Sequence, residues 1–243
     1  MGIADTLSYN GRFIVIKSTV TAIPNFAMCT LKLPLGFLDY VEGATRGFLW
    51  IGKDIHKKGL GVLNPRTHNI SLLIKNLFKF MNMNDIPWVK LIWQAYYGNN
   101  KIPQNCDPCG SIWWMACLKL LNSFLELATC SIDDGATVRL WSDKWCDDTL
   151  RIKFLHHCSF ARDQNISLRK AIDFCSNDEA YIMFHLPLSM IASQQYYQLI
   201  ATLEERIGNS DIDAWHMATN KSPYSCKRVY MLLFHQTNLP LPQ

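Results

Sequence analysis

The chain has 243 residues, 49% hydrophobic and 18% charged, which excludes a disordered or collagen-like polypeptide and supplies apolar surface for one large or two small cores. The net charge of +4 is unevenly placed: residues 1–103 hold 12 Lys/Arg against 5 Asp/Glu, and residues 104–243 hold 12 against 15. A basic first part beside a mildly acidic second part implies two units, the first able to face a polyanion.

In chain order, Ser8 is placed to cap a first helix along which Phe13, Ile14, Ile16, Val20 and Ile23 recur. Pro24 kinks or restarts it, and Leu33-Pro34-Leu35-Gly36 ends the second piece. A third helix spans about Phe37 to Trp50. Gly59-Leu60-Gly61 reads as a loop, and two helices follow over about Asn69–Met81 and Pro87–Tyr97. Residues 98–110, with Gly98, Pro103, Pro108 and Gly110, read as a linker. Ser111 to about Ala128 then reads as one apolar helix, Asp133-Asp134-Gly135 as a turn and Thr137–Trp141 as a short strand. Ser167 caps a helix through Phe174, Gln194–Ile207 forms another that ends at Gly208, and Ser225–Phe234 forms the last. The expected fold class is mainly α: a helical segment over 1–60, a helical connection over 61–103, and an α-rich region with a small β-hairpin over 104–243.

The most apolar stretch, Ile112 to Leu121, is interrupted by Lys119 and falls well short of the roughly 18 residues a spanning helix needs. The N-terminus shows no basic stretch followed by an apolar run, so no leader is read. A soluble, intracellular chain without membrane contact is expected.

Nine cysteines form no even framework. Cys106-Asp-Pro-Cys109 has the spacing that lets two thiolates share a zinc ion, with Cys146, His156, His157 and Cys158 as further ligand candidates. No second paired motif follows, so Cys106 and Cys109 are weak candidates, and no metal or other cofactor is expected. Asp133-Asp134 invites comparison with carboxylates that hold paired Mg²⁺ ions, but Asp-Gly is ordinary turn chemistry and no third carboxylate occupies an obvious companion strand. Phosphate-binding glycine loops and the nucleophile elbow are absent from the sequence, so no catalytic residue is expected.

A series of strings nevertheless stands in a recognisable order. Leu7-Ser8-x-x-Gly11-Arg12, Ile16-Lys17-Ser18, Pro24, Met28, Leu33-Pro34 and Arg46-x-Phe48-Leu49-Trp50 come first. Gly59-Leu60-Gly61 with Asn69, Leu72-Leu73 and Lys75 follows. Then come Asp134-Gly135 with Arg139-x-Trp141-x-Asp143-x-Trp145, and Asp211 to Trp215 with Tyr224-Ser225 and Lys227 to Tyr230. Together they resemble the region after the polymerase core of plant LINE-type (non-LTR) retrotransposon reverse transcriptases, from the thumb to the start of the zinc-binding region. The segment Ile51–Lys58 is shorter than its counterpart in that family, and Lys58 replaces one glycine of the usual pair.

The resemblance implies a thumb-like unit over 1–60 that lacks the palm and its metal-binding carboxylates, hence a non-catalytic fragment of an RNA-directed DNA polymerase. It also gives the basic first part a role. Arg12, Lys17, Lys32 and Arg46 become candidates for phosphate contacts to an RNA–DNA or other nucleic-acid duplex, without sequence readout. A nucleic-acid-binding module that grips duplex on its own, and a host-adopted interaction protein built from the remnant helices, are the alternatives. Trp50, Trp141 and Trp145 are expected in the core rather than as base-stacking platforms.

Overall fold

Short hydroxyl side chains start three helices where the sequence places them. Ser8 Oγ accepts from Gly11 N, Ser111 Oγ from Trp114 N and Ser167 Oγ from Lys170 N, each at 3.2 Å, and each takes an N–H that has no partner within the helix. The computed structural model describes residues 7–20, 22–50, 63–97, 102–105, 110–146, 148–204, 213–219 and 222–238. The Gly59–Gly61 loop, the Ile51–Lys58 segment, the Cys106/Cys109 pair, Gly208 and Asp211 lie outside them.

Among the described residues the fold is mainly α, with twelve helices and two strands. Helix α1 (Tyr9–Val15) runs into a π-helical turn (Ile16–Val20), followed by α2 (Ala22–Thr30), α3 (Leu35–Leu49) and α4 (Pro65–Met81). Helix α5 (Pro87–Ile92) runs into a second π-helical turn (Trp93–Tyr97). Then come α6 (Ile112–Leu118), α7 (Leu121–Leu127), β1 (Ala128–Ser131), α8 (Leu150–Lys153), α9 (Leu155–Cys158) and α10 (Leu168–Ser176). A 3₁₀ turn (Ala180–Met183), α11 (Met190–Glu204), β2 (Ala214–Met217) and α12 (Cys226–Asn238) complete the order. No helix among these residues is long and apolar enough to cross a membrane.

The chain divides into two compact units. The first comprises Met1–Asn76, Ser111–Leu120 and Ser225–Gln243; the second comprises Leu77–Gly110 and Leu121–Tyr224.

In the first unit α1 and α3 share an apolar cluster. Ile16, Leu49 and Trp50 are buried, with Tyr9, Phe13 and Phe48 packed against them, and the Tyr9 and Trp50 rings lie 5.5 Å apart. Helix α4 begins at Pro65, four residues before the expected start. Asn64 Oδ1 accepts from Thr67 N at 3.0 Å, so Asn64 serves as the cap and Pro65 occupies the first turn, where its missing N–H costs nothing. From α4 the buried Asn69 side chain reaches the linker between α2 and α3. Its Nδ2 donates to Met28 O (2.9 Å) and Leu31 O (2.8 Å), and its Oδ1 accepts from Leu33 N (3.1 Å). Helix α12 is held to α4 by Tyr230, whose hydroxyl accepts from Asn64 N at 2.8 Å.

In the second unit Phe78 packs edge-on against Phe124 with ring centroids 4.7 Å apart, and Phe80 stacks on Trp93 at 4.5 Å. The Trp93 indole donates to Phe80 O at 3.0 Å. Each such ring removes on the order of 150–250 Å² from water. Two expectations are corrected here. The apolar run from Ser111 to Ala128 is two helices, broken where Leu120 N turns to Cys117 O at 2.9 Å; residues before the break belong to the first unit and those after α7 begins to the second. The strand is Ala128–Ser131, not Thr137–Trp141. It pairs antiparallel with Ala214–Met217, Ala128 opposite Met217 and Ser131 opposite Ala214. The sheet is therefore a long-range pair rather than a hairpin closed at Asp133–Gly135. Asn82 borders β2, with its Oδ1 accepting from Trp215 N (2.9 Å) and its Nδ2 donating to Trp215 O (3.2 Å) as a third strand would.

Thr137–Trp141 forms no strand because carboxylates take its backbone donors. Thr137 N donates to Asp213 and Arg139 N to Asp143. Only Val138–Leu140 pairs with Ile166–Leu168, through Leu140 N to Ile166 O at 3.0 Å and Leu168 N to Val138 O at 2.8 Å.

His157 on α9 is fully buried, its ring 4.0 Å from Phe184, 5.6 Å from Tyr196 and 6.1 Å from Trp141. Burial pushes the imidazole down to about 4, opposed weakly by the nearby Ala192 backbone. The folded chain then holds fewer protons than the unfolded chain between this value and the ordinary 6.5, so stability falls as pH falls through that window. Urea unfolding at pH 7 and pH 5 is expected to differ by about 2 kcal/mol on this account. His157→Phe should remove that difference.

Candidate nucleic-acid interface

The four candidate cations all belong to the first unit. Arg12 lies on α1 and Lys17 in the π-helical turn that continues it, both beside the cluster shared with α3. Lys17 Nζ sits 4.6 Å from the centre of the Phe13 ring, one turn back. Arg46 projects from α3, the other half of that cluster. Elements that pack together thus carry these three. Lys32 stands apart from them, exposed in the linker Leu31–Pro34 that Asn69 ties to α4.

Two carboxylates temper this surface. Arg46 is ion-paired with Glu42 one turn earlier on α3, and Arg66 of α4 is ion-paired with Asp39. The hydrogen bond and charge of Asp39 raise Arg66 further above its ordinary value.

The acidic turn of the second unit is architectural. Asp213 is buried and its carboxylate accepts four hydrogen bonds, from Asp133 N (3.0 Å), Gly135 N (2.8 Å), Thr137 N (3.0 Å) and Thr137 Oγ1 (2.8 Å). Asp134 Oδ1 accepts from Ala136 N at 2.9 Å, an Asx turn. Burial raises the Asp134 carboxyl, with the Asp213 charge adding to it and the Ala136 hydrogen bond opposing. Gly135 adopts φ +70°, and a Cβ there would meet Arg169 N at 3.0 Å, so any other residue is strained at this position.

The tryptophan-rich string that follows is equally structural. Asp143, fully buried, accepts from Arg139 N at 2.7 Å and lies 3.2 Å from Arg139 Nε. Burial pushes its carboxyl up while the arginine pulls it down. The Trp145 indole donates to Leu140 O at 3.0 Å, and Trp50, Trp141 and Trp145 are all buried, as expected for core residues.

Among the described residues no group of three His, Cys, Asp or Glu side chains is arranged to hold a metal ion. Of the further ligand candidates, His157 and Cys158 are buried, and burial raises the Cys158 thiol away from the thiolate that zinc requires.

Two residues that organise the units, Asn69 and Asp213, are not singled out as functional by the sequence reading. Their signal is present all the same, because both stand within the ordered strings. Asparagine and aspartate side chains readily bond backbone groups, and once buried they must find such partners.

No family model matches the chain, and no solved structure matches it. It is similar to an Arabidopsis thaliana protein provisionally named a ribonuclease H protein, 24% identical over 162 residues. That similarity covers 58% of this chain and 26% of the relative, so the chain matches about a quarter of that protein's length. The chain is a distant relative of a plant protein whose name places it in nucleic-acid processing.

Proposed function

We propose that this chain is a segment of LINE-type reverse-transcriptase lineage, and that it holds duplex nucleic acid through phosphate contacts without carrying out polymerase chemistry. The observation that carries the reading is the charge of the first unit. Between residues 7 and 76, the described residues include Arg12, Lys17, Lys32, Arg46, Arg66 and Lys75 against only Asp39 and Glu42. Cations on helices that share a core keep a fixed spacing, which suits the regular phosphates of a duplex. The provisional ribonuclease H name of the relative adds support, since it too concerns nucleic acid. The acidic residues of the second unit favour a non-catalytic role: Asp213 and Asp143 spend their oxygens on backbone and arginine donors.

Anisotropy of a labelled RNA–DNA hybrid, titrated from about 50 to 300 mM salt, tests the binding. Affinity is expected to fall linearly on a log–log plot with a slope of roughly −0.9 per phosphate contact. Arg12→Ala and Lys17→Ala should each flatten that slope by about 1. Unchanged affinity and slope in both variants would leave the cations with no role in binding. A primer-extension assay with Mg²⁺ is expected to give no product, and extension would overturn the non-catalytic assignment.

A further inference from the structure

Between residues 7 and 76, the two acidic residues described are Asp39 and Glu42, and they lie three residues apart on α3. That spacing puts both on neighbouring positions of one helix face. Each is ion-paired to an arginine, Glu42 to Arg46 and Asp39 to Arg66. Both arginine side chains are 47% exposed, so the pairs sit at the surface and their guanidinium groups are within reach of a ligand. Exposed pairs of this kind contribute little to stability, so a polyanion that brings many phosphates at once can break them. The freed carboxylates would then face the same polyanion and repel it.

We propose that Asp39 and Glu42 are internal counter-ions that hold Arg46 and Arg66 in reserve, weakening duplex binding and making it selective for a dense phosphate array. An isolated phosphate cannot outcompete a carboxylate that the fold holds beside each arginine. A duplex anchored elsewhere on the unit presents its phosphates at high local concentration and can. This rests on the duplex reading above and adds what limits it: the acidic face of α3 opposes binding, and Arg46 contributes little net attraction while Glu42 remains beside it.

The test is the Asp39→Asn/Glu42→Gln double variant of the full chain, measured with the same RNA–DNA hybrid and salt series and with inorganic phosphate as the isolated anion. The variant is expected to bind the hybrid about tenfold more tightly at about 0.1 M salt, with a slope steeper by roughly 2, because each arginine then neutralises a phosphate with no adjacent carboxylate offsetting its charge. Adding Arg46→Ala to the variant should remove about half of the extra slope. Phosphate should compete with the hybrid more effectively in the variant than in the unmodified chain. A far-ultraviolet melting curve close to that of the unmodified chain shows that the variant is folded. If the unmodified chain binds and the double variant binds no more tightly, the counter-ion role fails and the duplex reading stands. If the unmodified chain does not bind and the variant does, the duplex reading fails for the native chain and the counter-ion role stands. Binding by neither overturns both.

Discussion

Asp213→Ala is expected to lower the unfolding free energy of the second unit by about 4 kcal/mol, because it strands four donors at once. Gly135 N, Thr137 N and Thr137 Oγ1 are buried around the carboxylate and Asp133 N is half-buried. The Thr137 hydroxyl also takes the indole N–H of Trp215 at 3.2 Å, so its displacement would spread to a core ring. Asp213→Asn, similar in shape, should recover only part of the loss, since its amide nitrogen would face donors. Urea denaturation followed by tryptophan fluorescence provides the measurement. A loss below about 1 kcal/mol for the alanine variant would mean that water replaces the carboxylate at little cost, and that Asp213 does not organise this turn.

Asn69→Ala should cost about 2–4 kcal/mol in the first unit, through the loss of three hydrogen bonds to Met28 O, Leu31 O and Leu33 N. The aspartate variant separates polarity from shape. The carboxylate introduced by Asn69→Asp would still accept from Leu33 N, but its second oxygen would face two carbonyl oxygens. That repulsion raises the folded-state pKa of the new carboxyl, so the folded chain binds more protons than the unfolded one. Asn69→Asp is therefore expected to be less stable than Asn69→Ala at pH 7 and to regain stability as pH is lowered through the carboxylate range. Thermal melts of both variants at pH 7 and pH 4 check this, with the His157 contribution to acid sensitivity common to both. Equal pH dependence in the two variants would show that Asn69 does not sit between those carbonyls.

Much of the helical framework was legible because its causes are local. Ser8, Ser111 and Ser167 mark helix starts through hydrogen bonds that span only three residues. The apolar spacing over Leu73, Leu77 and Phe80 fixes the buried face of α4 within its own turns. The burial of Trp50, Trp141 and Trp145 followed from periodicity and turn position in the same way. The charge imbalance of the first part, on which the duplex reading depends, is likewise a property of the sequence alone.

What the sequence left open was decided by partners far along the chain. Ala128–Ser131 became a strand because Ala214–Met217 lies against it, a partner more than eighty residues away that nothing local announces. Thr137–Trp141 has strand-forming residues, yet Asp213 and Asp143 claim its backbone donors before a neighbouring strand can. Pairing Arg46 with Glu42 follows from helix spacing once α3 is known, but pairing Arg66 with Asp39 joins two helices across 27 residues of sequence and changes which cations are available to a ligand. Composition, caps and periodicity determine where helices form and how charge is distributed, because those effects act within one or two turns. Which backbone groups find partners, and which charges are already neutralised, depends on long-range contacts, and only the tertiary structure settles them.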